Sequence, residues 1–282
     1  MSGTRGLCVL VAAALGLMTG GCAVNPLTGA EEPLFMSVEE ERALGARIAP
    51  EVEAALRGPI PNEALQRYID RVGQRVACFS DHPDWEYSYR VVEHTMVNAF
   101  ALPGGTVYIT RGLLEKLTSE AELAGILAHE TVHVVARDTA VALSKQKLLN
   151  AGLLAAAVGA ASGEVDPRVF SAAQLTGQVL MLRYSRQDER EADLGGLDYM
   201  TTAGYDPNGM VRTMQMLHDL NRIQPVEFLS THPSHENRIA YLKQAIASAR
   251  PGSGLRIGKE DYQTKVLDFL KTHPKPRGLQ EF

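Results

Sequence analysis

The segment LAGILAHETVHVVARD, residues 123–138, sets the strongest limit on what this chain can fold into. It is apolar on nearly every side, which for a helix means burial rather than a surface position. Yet His129, Glu130 and His133 stand in its middle. A buried imidazole or carboxylate without a partner is costly, so the fold must supply partners for all three. On a helix, His129 and His133 lie four residues apart on one face, with Cβ atoms about 5–6 Å apart. That separation lets two imidazoles reach a single tetrahedral zinc ion. Glu130 is displaced around the helix but stays close to the same point, where it can take a proton from a water. The H-E-x-x-H pattern is short, and its placement mid-helix in an apolar segment is what gives it weight.

Two histidines leave such a site short of a protein ligand. The stretch SRQDEREADLGGLDYM, residues 185–200, offers Glu189, Glu191 and Asp193. Glu189 and Asp193 are four apart and share a helix face, whereas Glu191 points elsewhere. A carboxylate ligand with an aspartate one turn on suits a metal site. Asp193 can accept the spare N–H of a ligating histidine, which fixes its tautomer and raises its basicity. Spacing therefore favours Glu189 over Glu191 as the third ligand.

The chain's 282 residues suffice for one large domain, and no internal repeat or second core is visible. The net charge of −5 and the lack of basic runs speak against a nucleic-acid partner. The first 21 residues have a secretory layout: Arg5, the apolar run GLCVLVAAALGLM (6–18), then small residues before Cys22. That layout resembles a bacterial lipoprotein signal, which predicts cleavage after residue 21 and lipidation of Cys22. No aspartate follows Cys22 directly, which by the same resemblance favours the outer membrane. Residues 22–36 then read as an extended, lipid-anchored tether. With Cys8 removed and Cys22 lipidated, only Cys78 remains, so no intramolecular disulfide is expected, and Cys78 reads as a small buried hydrophobe.

Ser37 and Glu40 form a capping box that opens a helix expected to break or kink at Pro50. Leu65, Ile69, Val72 and Val76 predict a helix over 62–77. WEYSYRVVE (85–93) reads as a strand, and MVNAFAL (96–102) and TVYIT (106–110), joined by PGG, as a hairpin. Ser119 and Glu122 should cap the histidine helix. Further helices are expected near 139–158, 167–182, 186–203, 208–221 and 235–249, with a helical tail at 259–272. The apolar run at 148–163 is too short to span a bilayer and reads as a buried helix rather than a membrane-dipping one. The fold class is α+β and mostly helical, with a domain over 37–250 and a short extension over 251–282.

Five blocks in this order carry a family resemblance: CAVNPLTG, NAFALPGGTVYITRGLL, LAHETVHVVARD, SRQDEREAD and STHPSHENRI. Together they resemble the gluzincin-type zinc metallopeptidases that include the CAAX prenyl proteases, HtpX and the periplasmic lipoproteins BepA and LoiP. The resemblance implies a zincin-like domain with a small antiparallel hairpin or sheet beside the histidine helix, and one zinc ion per chain. It implies His129, His133 and Glu189 as ligands, the last being the glutamate that precedes an aspartate by four. It places Asn98, Ala99 and Phe100 in an edge strand beside the metal, able to receive an extended substrate as an added strand. It leaves two roles open for His232, which could stabilise an oxyanion together with Arg238 or occupy a fourth zinc position and hold the enzyme latent. His235 is not singled out, and His82, His94, His218 and His273 read as ordinary histidines. The implied activity is an envelope endopeptidase of the periplasm acting on misfolded or stalled envelope proteins, with Glu130 as general base. The rival is an assembly chaperone or scaffold whose zinc site is closed and structural.

Overall fold

A computed structural model describes residues 22–146, 149, 172–233 and 237–273. The elements in chain order are β1 (Cys22–Val24), β2 (Glu31–Pro33), α1 (Val38–Ala55), α2 (Glu63–Ala77), β3 (Ser88–Val92), β4 (Ala99–Ala101) and β5 (Thr106–Thr110). There follow α3 (Arg111–Leu114), α4 (Glu120–Val135), α5 (138–146), α6 (Ala172–Leu180), α7 (Arg186–Thr202) and α8 (Asn208–Asn221). Last come α9 (Glu227–Thr231), α10 (Arg238–Ala249), α11 (Lys259–Tyr262), a π turn (Gln263–Leu267) and α12 (Asp268–Thr272). The architecture is α+β and mostly helical, as expected. No helix among the described residues is long and apolar enough to cross a membrane. The run at 148–163, apart from residue 149, lies outside the described residues, as do His235 and the Pro-rich end.

Helix α1 opens on the predicted capping box, with both reciprocal bonds between Ser37 and Glu40 present. It does not break at Pro50, which lies inside the helix. Proline removes the bond to the carbonyl four residues back. Here Ala46 and Pro50 are both exposed, so water can serve that carbonyl. Ser119 caps α4 through the Glu122 N–H, but the Glu122 carboxylate turns to Thr118 instead of closing a box. Helix α9 was not anticipated; five residues are too few to show a period. Cys78 is exposed, against expectation. It caps the C-terminus of α2, where the next position around the helix has left the face that buries Val76 and Ala77.

The three strands are ordered β3-β5-β4. The predicted hairpin is antiparallel, with Ala99 opposite Ile109 and Ala101 opposite Val107. Its turn uses Gly104 and Gly105 at φ of 83° and 104°, a region open to glycine at no steric cost. The third strand differs from the all-antiparallel expectation: β3 pairs parallel with β5, Ser88 facing Thr106. The chain leaves β3, forms the far edge as β4, and returns between the two as β5.

Both outer edges then need cover or a use. Helix α2 covers the β3 edge with Gln66, Asp70 and Gln74, three side chains one turn apart. Gln66 both donates to the Val91 carbonyl (2.8 Å) and accepts from its N–H (2.9 Å). Asp70 accepts from the Tyr89 N–H (3.1 Å), and Gln74 donates to the Tyr87 carbonyl (2.6 Å). Among the described residues, the β4 edge receives no helix of this kind.

Every residue of α4 is buried. One sheet face, with Ala99, Ala101 and Ile109, joins the core around α4, α2 and α8; the other, with Phe100, Leu102 and Tyr108, packs on Ile48 and Val52 of α1 and Val179 of α6. Helix α7 crosses α4 at Gly196, where an added Cβ would lie 2.9 Å from the backbone nitrogen of His129. Gly196→Ala should therefore cost about 1–3 kcal/mol by overpacking, read from denaturant unfolding.

The tail also belongs to this body. Glu120, in the first turn of α4, receives Tyr68 and Tyr205 hydroxyls and the Arg256 guanidinium, while the Tyr262 hydroxyl bonds the Leu114 carbonyl. Residues 22–36 are not a plain extended tether: β1 and β2 pair as a hairpin, and the following segment lies against α5.

Candidate metal centre

Four side chains from three places in the sequence converge inside the molecule: His129 and His133 of α4, Glu189 of α7 and His232 at the end of α9. One potential ligand atom from each lies within 4.8 Å of the others. His129 Nε2 stands 3.2 Å from His133 Nε2 and 3.3 Å from His232 Nδ1. The Glu189 carboxylate approaches His129 Nε2 at 3.6 Å, His133 Nε2 at 3.7 Å and His232 Nδ1 at 2.7 Å. Tetrahedral ligands at about 2.0–2.1 Å from a common ion would be about 3.3 Å apart. Three imidazole nitrogens and one carboxylate oxygen suit zinc, not the all-oxygen cages that magnesium or calcium prefer.

Electrostatics fit the same use. Burial drives the pKa of both His129 and His133 down to about 3, against the pull of nearby carboxylates, so their rings are neutral with lone pairs available. Burial likewise pushes His232 down, helped by the charge of Arg238. Glu130, fully buried, is pushed up by desolvation and by the Glu189 charge, with Arg238 opposing. Neither oxygen of Glu130 has a hydrogen-bond partner among the described residues. Its Oε1 lies 3.6 Å from His232 Nε2, which is also without one. A buried carboxylate in that state needs a water, an ion or a substrate group beside it.

The back nitrogens of the two helix histidines are each held. His129 Nδ1 donates to Asp193 Oδ1 (3.1 Å), the partner the spacing had suggested. Burial raises the Asp193 pKa, but the Arg238 charge and the His129 bond outweigh it and keep the carboxyl ionised. Arg238 grips Asp193 through Nε and Nη2, both at 2.6 Å, and reaches Glu189 Oε2 at 3.0 Å through Nη1. Its guanidinium is thus committed behind the ligand carboxylates, and the Tyr241 hydroxyl completes the group at Asp193. His133 Nδ1 donates to Asp138 Oδ2 at 2.7 Å. Sequence reasoning missed Asp138. Its signal was an aspartate just past the end of an apolar helix, five residues after His133. Tyr184, stacked on the His133 ring at 3.9 Å with its hydroxyl on Thr139, was also missed, and Phe228, stacked on His232 at 4.3 Å, had no signal at all.

The sites not brought into the cluster are equally clear. Glu191 faces outward and accepts from the Asn25 and Gln187 amides. Asn98, Ala99 and Phe100 lie buried at the outer edge of the sheet. Asn98 O and Leu102 N bond to β5, so by alternation Val97, Ala99 and Ala101 turn their backbone groups outward. The Val97 carbonyl accepts from the Phe228 N–H (3.1 Å), and the Ala101 carbonyl from the Thr139 hydroxyl (3.4 Å). Those two contacts join the edge to Phe228 against His232 and to Tyr184 against His133.

Comparison with known proteins adds a family match: residues 63–246 fit the description Peptidase family M48. A beta-barrel assembly-enhancing protease of Yersinia pestis is 27% identical over 234 residues, 80% of this chain and 48% of the relative. A putative beta-barrel assembly-enhancing protease of Vibrio cholerae is 31% identical over 189 residues, 64% of this chain and 39% of the relative. The mitochondrial metalloendopeptidase OMA1 of Schizosaccharomyces pombe is 34% identical over 187 residues, 65% of this chain and 53% of the relative. The chain spans about half the length of these curated relatives or less.

Proposed function

This chain belongs to peptidase family M48, and from that premise we propose that it is a zinc-dependent endopeptidase of the bacterial cell envelope. The observation that carries the reading is the convergence of His129 Nε2, His133 Nε2 and Glu189 beside a buried Glu130 carboxylate with no hydrogen-bond partner among the described residues. Those three residues would hold the metal. Zinc bound there would lower the pKa of a water to about 7 and polarise a peptide carbonyl. Glu130 takes the proton from the attacking water and passes it to the leaving amine. Asp193 and Asp138 hold the imidazoles in register, and Arg238 keeps Asp193 and Glu189 in place. An extended peptide adds to the β4 edge through the outward backbone groups of Ala99 and the Ala101 N–H.

His232 supplies the fourth donor of the cluster, and a zinc site closed by four protein ligands does not leave room for water. We read the described arrangement as latent, with His232 withdrawing before catalysis. His232→Ala should then raise casein cleavage at unchanged zinc content; loss of cleavage would instead give His232 an oxyanion role. The same closed arrangement favours a second reading, an assembly scaffold with a structural zinc, in which the Glu130→Gln variant would keep full biological function. Metal analysis tests the ligand set directly. Wild type should carry one zinc per chain, Glu189→Ala should lose it and Glu191→Ala should keep it. The opposite pattern would refute the assignment.

The signal layout before Cys22 and the assembly-related names of the bacterial relatives support a lipid-anchored protein on the inner leaflet of the outer membrane, cleaving misassembled envelope proteins.

A further inference from the structure

The corner between α4 and α5 holds an unusual residue. Arg137 has φ of 60°, one of three described non-glycine residues in the left-handed region. Such a conformation costs of order 1 kcal/mol and persists only where the surroundings impose it. What it achieves is local and clear. The chain reverses out of the histidine helix within two residues, the Arg137 carbonyl accepts the first turn bond of α5 from Val141 N–H (2.9 Å), and Asp138 swings back under His133. A right-handed residue at 137 would continue α4 and carry Asp138 away from the His133 ring.

Its side chain is fixed as firmly as its backbone. Nε donates to Glu41 Oε1 at 2.6 Å, and Nη2 contacts Glu41 and donates to the Met36 carbonyl at 2.6 Å. Glu41 is nearly inaccessible, so this pair is partly desolvated and geometrically defined. Met36 ends the strap of residues 24–36. Along that strap Asn25 donates to Glu191 of α7 (3.0 Å), and Leu27 lies beside Gly195 of the same helix. Leu34 packs on Ala140 and Val141, and the Phe35 N–H bonds Ser144 (3.2 Å). One continuous segment therefore bridges the helix carrying Glu189 and Asp193 to the helix carrying Asp138. Arg137 joins that segment to the corner between α4 and α5.

We propose that Arg137, gripping Glu41 and the N-terminal strap, is a positioning residue for the metal site, acting through Asp138 on His133. The inference rests on the zinc reading above. It also makes the segment after Cys22 a clamp on the catalytic helices rather than slack between an anchor and a domain.

The test uses the full chain loaded with zinc and follows release of the metal to a chelating dye. Arg137→Gly keeps the left-handed backbone without strain but removes the guanidinium. It should release zinc about tenfold faster, the scale on which residues supporting a metal ligand act. Asp138→Ala should do the same, and the double variant Arg137→Gly/Asp138→Ala should be no faster than Asp138→Ala alone, because both act on one histidine. Glu41→Gln leaves the arginine and the backbone in place and should give a smaller acceleration. Arg137→Gly releasing zinc at the wild-type rate overturns the inference, as do additive effects in the double variant or an unchanged rate in Glu41→Gln. A wild-type protein that takes up no zinc overturns the metal reading itself, and is told apart by metal content before any release is measured.

Discussion

Glu130→Gln is expected to lower the turnover of an unfolded protein substrate by about 10²–10⁴-fold while leaving one zinc per chain. The two halves of the result have separate causes. Glutamine has the shape of glutamate but cannot accept a proton at catalytic strength, so the attacking water stays a poor nucleophile. None of the converging metal donors comes from Glu130, so the ligand set of His129, His133 and Glu189 is untouched. Desolvation and the Glu189 charge raise the Glu130 pKa above the usual carboxylate value, bringing it nearer the working pH of a general base. Activity of the wild type should accordingly fall as pH drops through that raised value, since the protonated acid cannot act as base. Retained turnover in Glu130→Gln would remove Glu130 from the chemistry; loss of zinc with the activity would make it a structural residue.

Asp193→Ala should have the largest effect on stability, about 3–5 kcal/mol in denaturant unfolding. The variant leaves Arg238 charged, 2% exposed and stripped of two of its charge-assisted bonds. It also frees the His129 ring, so zinc affinity should fall about 10–100-fold. A surface pair offers the contrast. Arg67 and Glu63 meet at 2.8 Å with 65% and 88% of their side chains exposed, and Glu63→Ala should cost no more than about 0.5 kcal/mol. If the two variants unfold alike, the buried network around Asp193 is not what holds α7 and α10 on the metal helix.

The comparison of these positions shows why some of the site was legible and some was not. His129, Glu130 and His133 could be read because four residues on a helix is a fixed distance, whatever the rest of the chain does. Glu189 was readable over Glu191 for the same reason, through its four-residue spacing to Asp193, and the capping box at Ser37 follows from contacts within one turn. The roles of His232 and Arg238 were not readable. His232 lies 103 residues from the histidine it approaches, and its place in the donor cluster depends on how α9 closes over the core. Arg238 turned out to be committed behind Asp193 and Glu189, a position no local period encodes. Asp138 was hidden by a single left-handed residue, since a helix continued past Val135 would point it elsewhere.

By itself, the sequence determined the helix faces, the hairpin turn at Gly104 and Gly105, the pair of imidazoles one helical turn apart and the carboxylate between them. Each depends on backbone geometry over about one or two turns of chain. Tertiary structure alone decided that β3 runs parallel to β5, that Pro50 stays inside a helix, that Cys78 is exposed, and that His232 joins the metal donors while Asp138 braces His133. Each of these depends on where distant segments meet, and that is settled by burying one shared core, not by any local pattern.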